Sequence, residues 1–121
     1  MTAEEQQNVA LVRRTLATYG LAPLDRRLAD YAFDLIYEEP GFSGQVLDRP
    51  ALRAALARQC SAHPGISFLL HSMAAMGDRV IAEGEARRQE PGRTQIVYQA
   101  LFYTRSDGLI RAPRVYAQSR S

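Results

Sequence analysis

The chain has 121 residues, a formal net charge of +2 and 46% hydrophobic residues. That length suits one domain, expected over residues 1–121, and the apolar fraction excludes a disordered chain. All 15 basic residues are arginine, which excludes a side-chain Schiff base, pyridoxal phosphate held through lysine, and a phosphate loop closing in Gly-Lys-Ser/Thr.

The opening MTAEEQQN is polar and acidic, unlike a secretory signal, so a cytoplasmic protein is expected. Val9, Val12, Leu16 and Tyr19 then recur at helical spacing, with Arg13 and Arg14 on another side. Gly20 and Pro23 punctuate this helix. A second helix is predicted from about Leu24 to Phe33, on a stripe of Leu24, Leu28, Tyr31 and Leu35. Residues 34–38 read as short and extended, and Pro40, Gly41 and Gly44 mark a loop.

A third helix opens at Asp48, a capping residue, with Pro50 in its first turn. Leu52, Ala55 and Leu56 form its apolar face, and Pro64-Gly65 ends it. Its Cys60 is the lone cysteine, so no internal disulfide can form, and two histidines are too few for an expected zinc site. Cys60 reads as a packed helix residue rather than a nucleophile.

Four strands follow: Ile66–Met76, Arg79–Gln89, Thr94–Arg105 and Leu109–Gln118. The turns between them are short, at Gly77-Asp78, Pro91-Gly92 and Asp107-Gly108. No crossover helix separates these runs, so they predict an antiparallel meander. Such long strands bend, and helices laid on the concave side leave a pocket typical of ligand sites. The fold expected is α+β: a cone-shaped, curved four-stranded antiparallel meander, plus short strands, covered by three N-terminal helices. No apolar run reaches the roughly 18 residues that span a bilayer, so no membrane partner is expected. The small net charge and scattered arginines give no case for nucleic acid.

This order of elements resembles the nuclear transport factor 2-like superfamily, in its branch of SnoaL-like polyketide cyclases and ketosteroid isomerases. The residues that carry the resemblance are Tyr31-Ala32-Phe33-Asp34, Tyr37-Glu38-Glu39-Pro40-Gly41, Asp48-Arg49-Pro50-Ala51-Leu52, and the stretch from Leu70-His71-Ser72 to Gly77-Asp78-Arg79-Val80. The resemblance implies a small-molecule ligand, no metal or organic cofactor, and a homodimer through the convex sheet face, where Arg114 and Tyr116 are expected. It also makes Glu39, directly before Pro40, the candidate proton-transfer carboxylate. Glu38-Glu39 as a plain acidic edge before a loop is the other reading. By strand alternation only one of the two should face inward.

Tyr19 resembles the tyrosine that donates to the developing oxyanion in the isomerases, although the stretch from it to Glu39 is shorter. It could equally be the last core residue of its helix. The isomerases' second oxyanion donor falls on Ala100, which cannot donate. The arginine and aspartates of the epoxide-opening branch fall near Gly84, Ala86 and Val115, so that arrangement is missing too.

In Ile81-Ala82-Glu83-Gly84-Glu85-Ala86-Arg87, the resemblance assigns Glu83, Glu85 and Arg87 to the cone, with Glu85 as an acid or base. Burying these charges is costly unless they pair or bind a polar ligand. The alternative is a solvated charged face whose small residues pack inward. His71, in an otherwise apolar strand, is a proton-shuttle candidate or a packing residue. Tyr37, Tyr98 and Phe102 are expected to line the cavity by parity, or simply to be core. Together these residues describe an isomerase, aldol-type cyclase or dehydratase acting on a carbonyl-bearing metabolite, or else a non-catalytic binding or dimerisation module of the same fold.

Overall fold

The computed structural model describes residues 1–20, 23–41 and 43–119. Helix α1 spans Ala3–Ala17. Thr2 caps it, accepting from Glu5 N while the Glu5 carboxylate accepts from Thr2 N. Its buried stripe is Asn8, Leu11, Val12, Thr15 and Leu16. The apolar members pack on Val80, Ala82, Leu101, Tyr103 and Val115 of the sheet. Each aliphatic side chain removed from water in this way contributes roughly 1.5–3 kcal/mol. Asn8 is fully buried and both polar atoms of its amide are bonded: it donates to Gly77 O at 2.8 Å and accepts from Arg105 at 2.7 Å.

The second helix is shorter than expected. α2 covers only Leu24–Leu28. From Asp30 onward the chain is drawn out of helix by backbone partners. Ala32 N donates to Ile110 O, Ile110 N to Asp30 O and Ile36 N to Arg111 O. This segment leads into β1 (Ile36–Glu38), which pairs antiparallel with β2 (Val46–Asp48). α3 follows at Arg49–Ala62, capped by Asp48, whose carboxylate accepts from Ala51 N at 3.0 Å. Leu28, Ala32, Leu35 and Leu52 form a second buried cluster that joins α2 and α3 to the sheet edge.

The meander is β3 (Ser67–Met76), β4 (Arg79–Glu90), β5 (Arg93–Ser106), β6 (Leu109–Ile110) and β7 (Arg114–Ser119). Asp107 and Gly108 both have positive φ, as the tight β5–β6 turn requires. The predicted last strand is split in two. Pro113 has no N–H to offer, and the ladder breaks there. The Pro113 carbonyl instead accepts from Glu38 N at 3.1 Å. That bond seats β1 beside β7 in parallel, at Glu38 and Arg114. The sheet is therefore mixed rather than wholly antiparallel, in the order β2-β1-β7-β5-β4-β3 with β6 on β5. Helices cover its concave face.

Candidate active site in the cone

Even-numbered residues of β4 and odd-numbered residues of β5 and β7 face the helices. Val80, Ala82, Ala86, Val97, Leu101, Tyr103 and Val115 are all buried. Beneath the helices they leave a cavity of about 350 Å³, within the range of small-molecule sites. α1 contributes Thr15 and Leu16 to its wall, and α3 contributes Leu52, Leu56 and Gln59. Two lining residues, Gln45 and Arg58, are exposed and mark the mouth.

Strand alternation decides between the two glutamates. Tyr37 and Glu39 line the cavity. Glu38, between them, lies 3.7 Å from Arg114 across the β1–β7 pair. The Glu39 carboxylate is held at both oxygens: Tyr37 donates to Oε1, and the Ser43 hydroxyl donates to Oε2 at 2.7 Å. Burial first, then the hydrogen bond to Glu39 and that residue's charge, push the Tyr37 hydroxyl far above the usual phenol range. Tyr37 therefore stays a donor.

Tyr19 also lines the cavity. Its ring lies 5.4 Å from Phe68, and its hydroxyl accepts from Gln99 Nε2 at 3.4 Å. Among the described residues no acceptor takes the phenolic proton, which leaves it able to donate to a ligand. The Arg27 guanidinium sits over the other part of this group, 5.6 Å from the Tyr19 ring centre. Tyr31 and Tyr103 complete the polar lining on the sheet side. Burial pushes Tyr31 up to about 12, with Arg27 pulling the other way, and burial pushes Tyr103 up as well.

Six of the residues expected in the cone lie on the opposite, convex face: His71, Glu83, Glu85, Arg87, Tyr98 and Phe102. The physical reason is the small-residue side of β4. Ala82, Gly84 and Ala86 face inward because aromatic rings and helices need that space. A Cβ on Gly84 would lie 2.6 Å from the Phe68 ring. The charged side of β4 is thereby turned outward, and the β5 residues opposite Glu83, Glu85 and Ile81 turn with it: Ala100, Tyr98 and Phe102. On β3 a bulge between Leu70 and Ser72 leaves His71 unpaired and exposed. The bulge also switches the inward parity from Phe68 and Leu70 to Met73 and Ala75.

These outward residues form their own network. Glu85, only 6% exposed, lies 3.0 Å from His71 Nε2 and 3.1 Å from Arg87. The Arg87 hydrogen bond, more than that of His71, holds the Glu85 carboxyl below its usual range against its desolvation. Phe102 meets Tyr116 edge to face at 5.5 Å. Cys60 packs as a helix residue, its sulfur 3.7 Å from an Arg27 donor.

Sequence reasoning missed Gln99, Arg27, Arg88 and Gln59, all of which line the cavity. Gln99 was legible in principle, since it shares parity with the apolar Val97 and Leu101. The others lie in segments whose inward side only tertiary packing decides.

Comparison with known proteins agrees with this architecture. The SnoaL-like domain family matches residues 12–112. No curated protein matches the sequence significantly. Among solved structures, AclR from Streptomyces galilaeus is 13% identical with a TM-score of 0.83, covering 96% of this chain and 81% of its own. Bal32a, from a soil-derived mobile gene cassette, is 19% identical with a TM-score of 0.81, over 94% of this chain and 91% of its own. An epoxide hydrolase from M. tuberculosis is 20% identical with a TM-score of 0.74, over 95% of this chain and 85% of its own. At these identities the likeness is one of fold. With its helix-covered mixed sheet, its cavity and a family match running from α1 through β6, the chain belongs to the SnoaL-like domain family, within the ketosteroid isomerase-like NTF2 fold.

Proposed function

We propose that the cone binds a small carbonyl-bearing organic molecule and that Glu39 moves a proton on it. The observation that supports this most is the arrangement at Glu39: a carboxylate on the cavity wall, fixed at both oxygens by Tyr37 and Ser43. A carboxylate so oriented takes a proton from the carbon next to the carbonyl. Tyr19, whose oxygen accepts from Gln99, donates its proton to the enolate oxygen that develops. Returning the proton at another carbon, closing a ring on the enolate, or expelling a leaving group gives isomerisation, aldol-type cyclisation or elimination. Epoxide opening is disfavoured, because the positions expected to carry its acids and arginine hold Gly84, Ala86 and Val115, all turned inward.

Deuterium exchange into 2-tetralone in D2O, followed by NMR, tests this without knowledge of the natural substrate. The expected result is exchange at least tenfold above buffer, abolished by Glu39→Gln and lowered by Tyr19→Phe. Exchange no faster than in buffer, or undiminished in Glu39→Gln, overturns the reading in favour of a non-catalytic binding module.

The reading extends to a symmetric pair of chains through the convex face. That face exposes Ile81, Tyr98, Phe102 and Tyr116 beside the charges of Glu83 and Arg114. Sedimentation equilibrium should give a dimer mass that Phe102→Asp reduces to a monomer. A wild-type monomer at micromolar concentration would remove this part.

A further inference from the structure

The cavity has an uneven charge distribution that proton transfer by Glu39 does not use. Three arginines line it, Arg27 on α2, Arg58 on α3 and Arg88 on β4, against the single carboxylate of Glu39. Arg14, Arg53, Arg87, Arg93, Arg111 and Arg114 each pair with an acid, and Arg49 and Arg105 donate to the Leu28 carbonyl and the Asn8 amide oxygen. Among the described residues Arg27, Arg58 and Arg88 have no acid partner, which they share with Arg13, Arg26, Arg49, Arg79 and Arg105; what sets them apart is that all three line one cavity. Arg27 is 7% exposed, and among the described residues its hydrogen bonding is a 3.7 Å contact to the Cys60 sulfur. A guanidinium taken that far from water without a counter-charge is costly, and stacking on Tyr19 offsets only part of the cost. Arg88 reaches His63 Nε2 at 3.0 Å through one nitrogen, while its buried Nε has no partner. Gln59 Oε1, on the α3 side of the same cavity, is likewise buried without a donor among the described residues.

We propose that the cone takes an organic anion, a carboxylate or a phosphate monoester on an apolar body, with Arg27 and Arg88 holding the charged group and Arg58 attracting it at the mouth. A planar guanidinium matches the paired oxygens of such a group and supplies the two parallel hydrogen bonds these arginines lack. The orphaned acceptor of Gln59 suits a hydroxyl on the ligand. The proposal rests on the reading of the cone as a ligand site and narrows its substrate to an acid. The charged group then sits at the arginines, and the reacting carbon faces Glu39.

Isothermal titration calorimetry with 2-naphthoate, 2-naphthyl phosphate and 2-naphthamide tests it. These share one apolar body and differ in charge. At least one anion should bind tenfold or more tightly than the amide, and which anion binds more tightly identifies the head group. Arg88→Gln should erase most of that advantage while changing amide affinity less than twofold. Arg27→Met should do the same, and Arg27→Lys should restore part of it. Because Arg27 is buried, its variants are read only where their circular dichroism melts match wild type; Arg88→Gln carries the test otherwise. Equal affinity for all three ligands, or no measurable binding of either anion, overturns the proposal. Parallel loss of anion and amide in the arginine variants also overturns it, since the arginines would then merely hold the wall. An anion preference beside unchanged tetralone exchange in Glu39→Gln removes only the proton-transfer reading. Glu39-dependent exchange with no anion preference removes only this one.

Discussion

Tyr37 donates a hydrogen bond to Glu39, two residues further along the chain, and both face the cavity while Glu38 between them meets Arg114 outside. The pair depends on β1 continuing in strand alternation up to Pro40. It follows that Tyr37 orients the carboxylate. Tyr37→Phe should lower tetralone exchange roughly tenfold, leaving Ser43 as the remaining side-chain donor among the described residues; misplaced catalytic groups commonly lose this much or more. A rate equal to wild type would show that the pair is only packing.

The buried phenols make stability fall in alkali. Tyr31, Tyr37 and Tyr103 all have folded values raised above the ordinary 10, Tyr31 to about 12. A raised folded value means the stabilisation is intact below pH 10 and is lost as pH rises, because the unfolded chain then gives up protons that the folded chain keeps. Tyr31 alone should cost about 1.4 kcal/mol per pH unit between pH 10 and 12. Urea midpoints measured from pH 8 to 11 should fall steeply above pH 10. Absorbance at 295 nm should show at least three phenols still protonated in the folded protein at pH 11. Full ionisation of all six at that pH, with the fold intact, contradicts the burial of these rings.

Gly84 is the residue that lets β3 and β4 close on the cone. A Cβ there meets Leu69 O at 2.3 Å and the Phe68 ring at 2.6 Å, and Phe68 in turn packs on Tyr19. Gly84→Ala should therefore destabilise by about 2 kcal/mol, the usual scale for overpacking, and should displace Phe68 toward Tyr19. Denaturant melts check the first effect and ligand affinity the second. A variant as stable as wild type would mean that β3 yields easily at the bulge beside His71.

The elements of the fold were legible because they are written in local chemistry. Asp48 and Pro50 announce α3, Asp107-Gly108 forces a tight turn, and long β-rich runs between short turns leave little but a meander. The branch of the fold was legible too, from the order of those elements and from Tyr37 to Gly41. Alternation along one short strand put Tyr37 and Glu39 on the same face and Glu38 on the other, while which of the two faces turns inward was left open.

What the sequence could not decide is which face of β4 turns inward, because alternation gives two faces and not their direction. Charged residues at 83, 85 and 87 fit a polar pocket as well as a solvated surface. The tertiary structure chose the surface, because the Phe68 ring needs the space that only Gly84 leaves free. The split at Pro113, the parallel seat of β1 and the gathering of Arg27, Arg58 and Arg88 around one cavity were hidden for the same reason. Each joins residues far apart in the chain, and local pattern records a residue's neighbours in sequence, not the side chains it will face after folding.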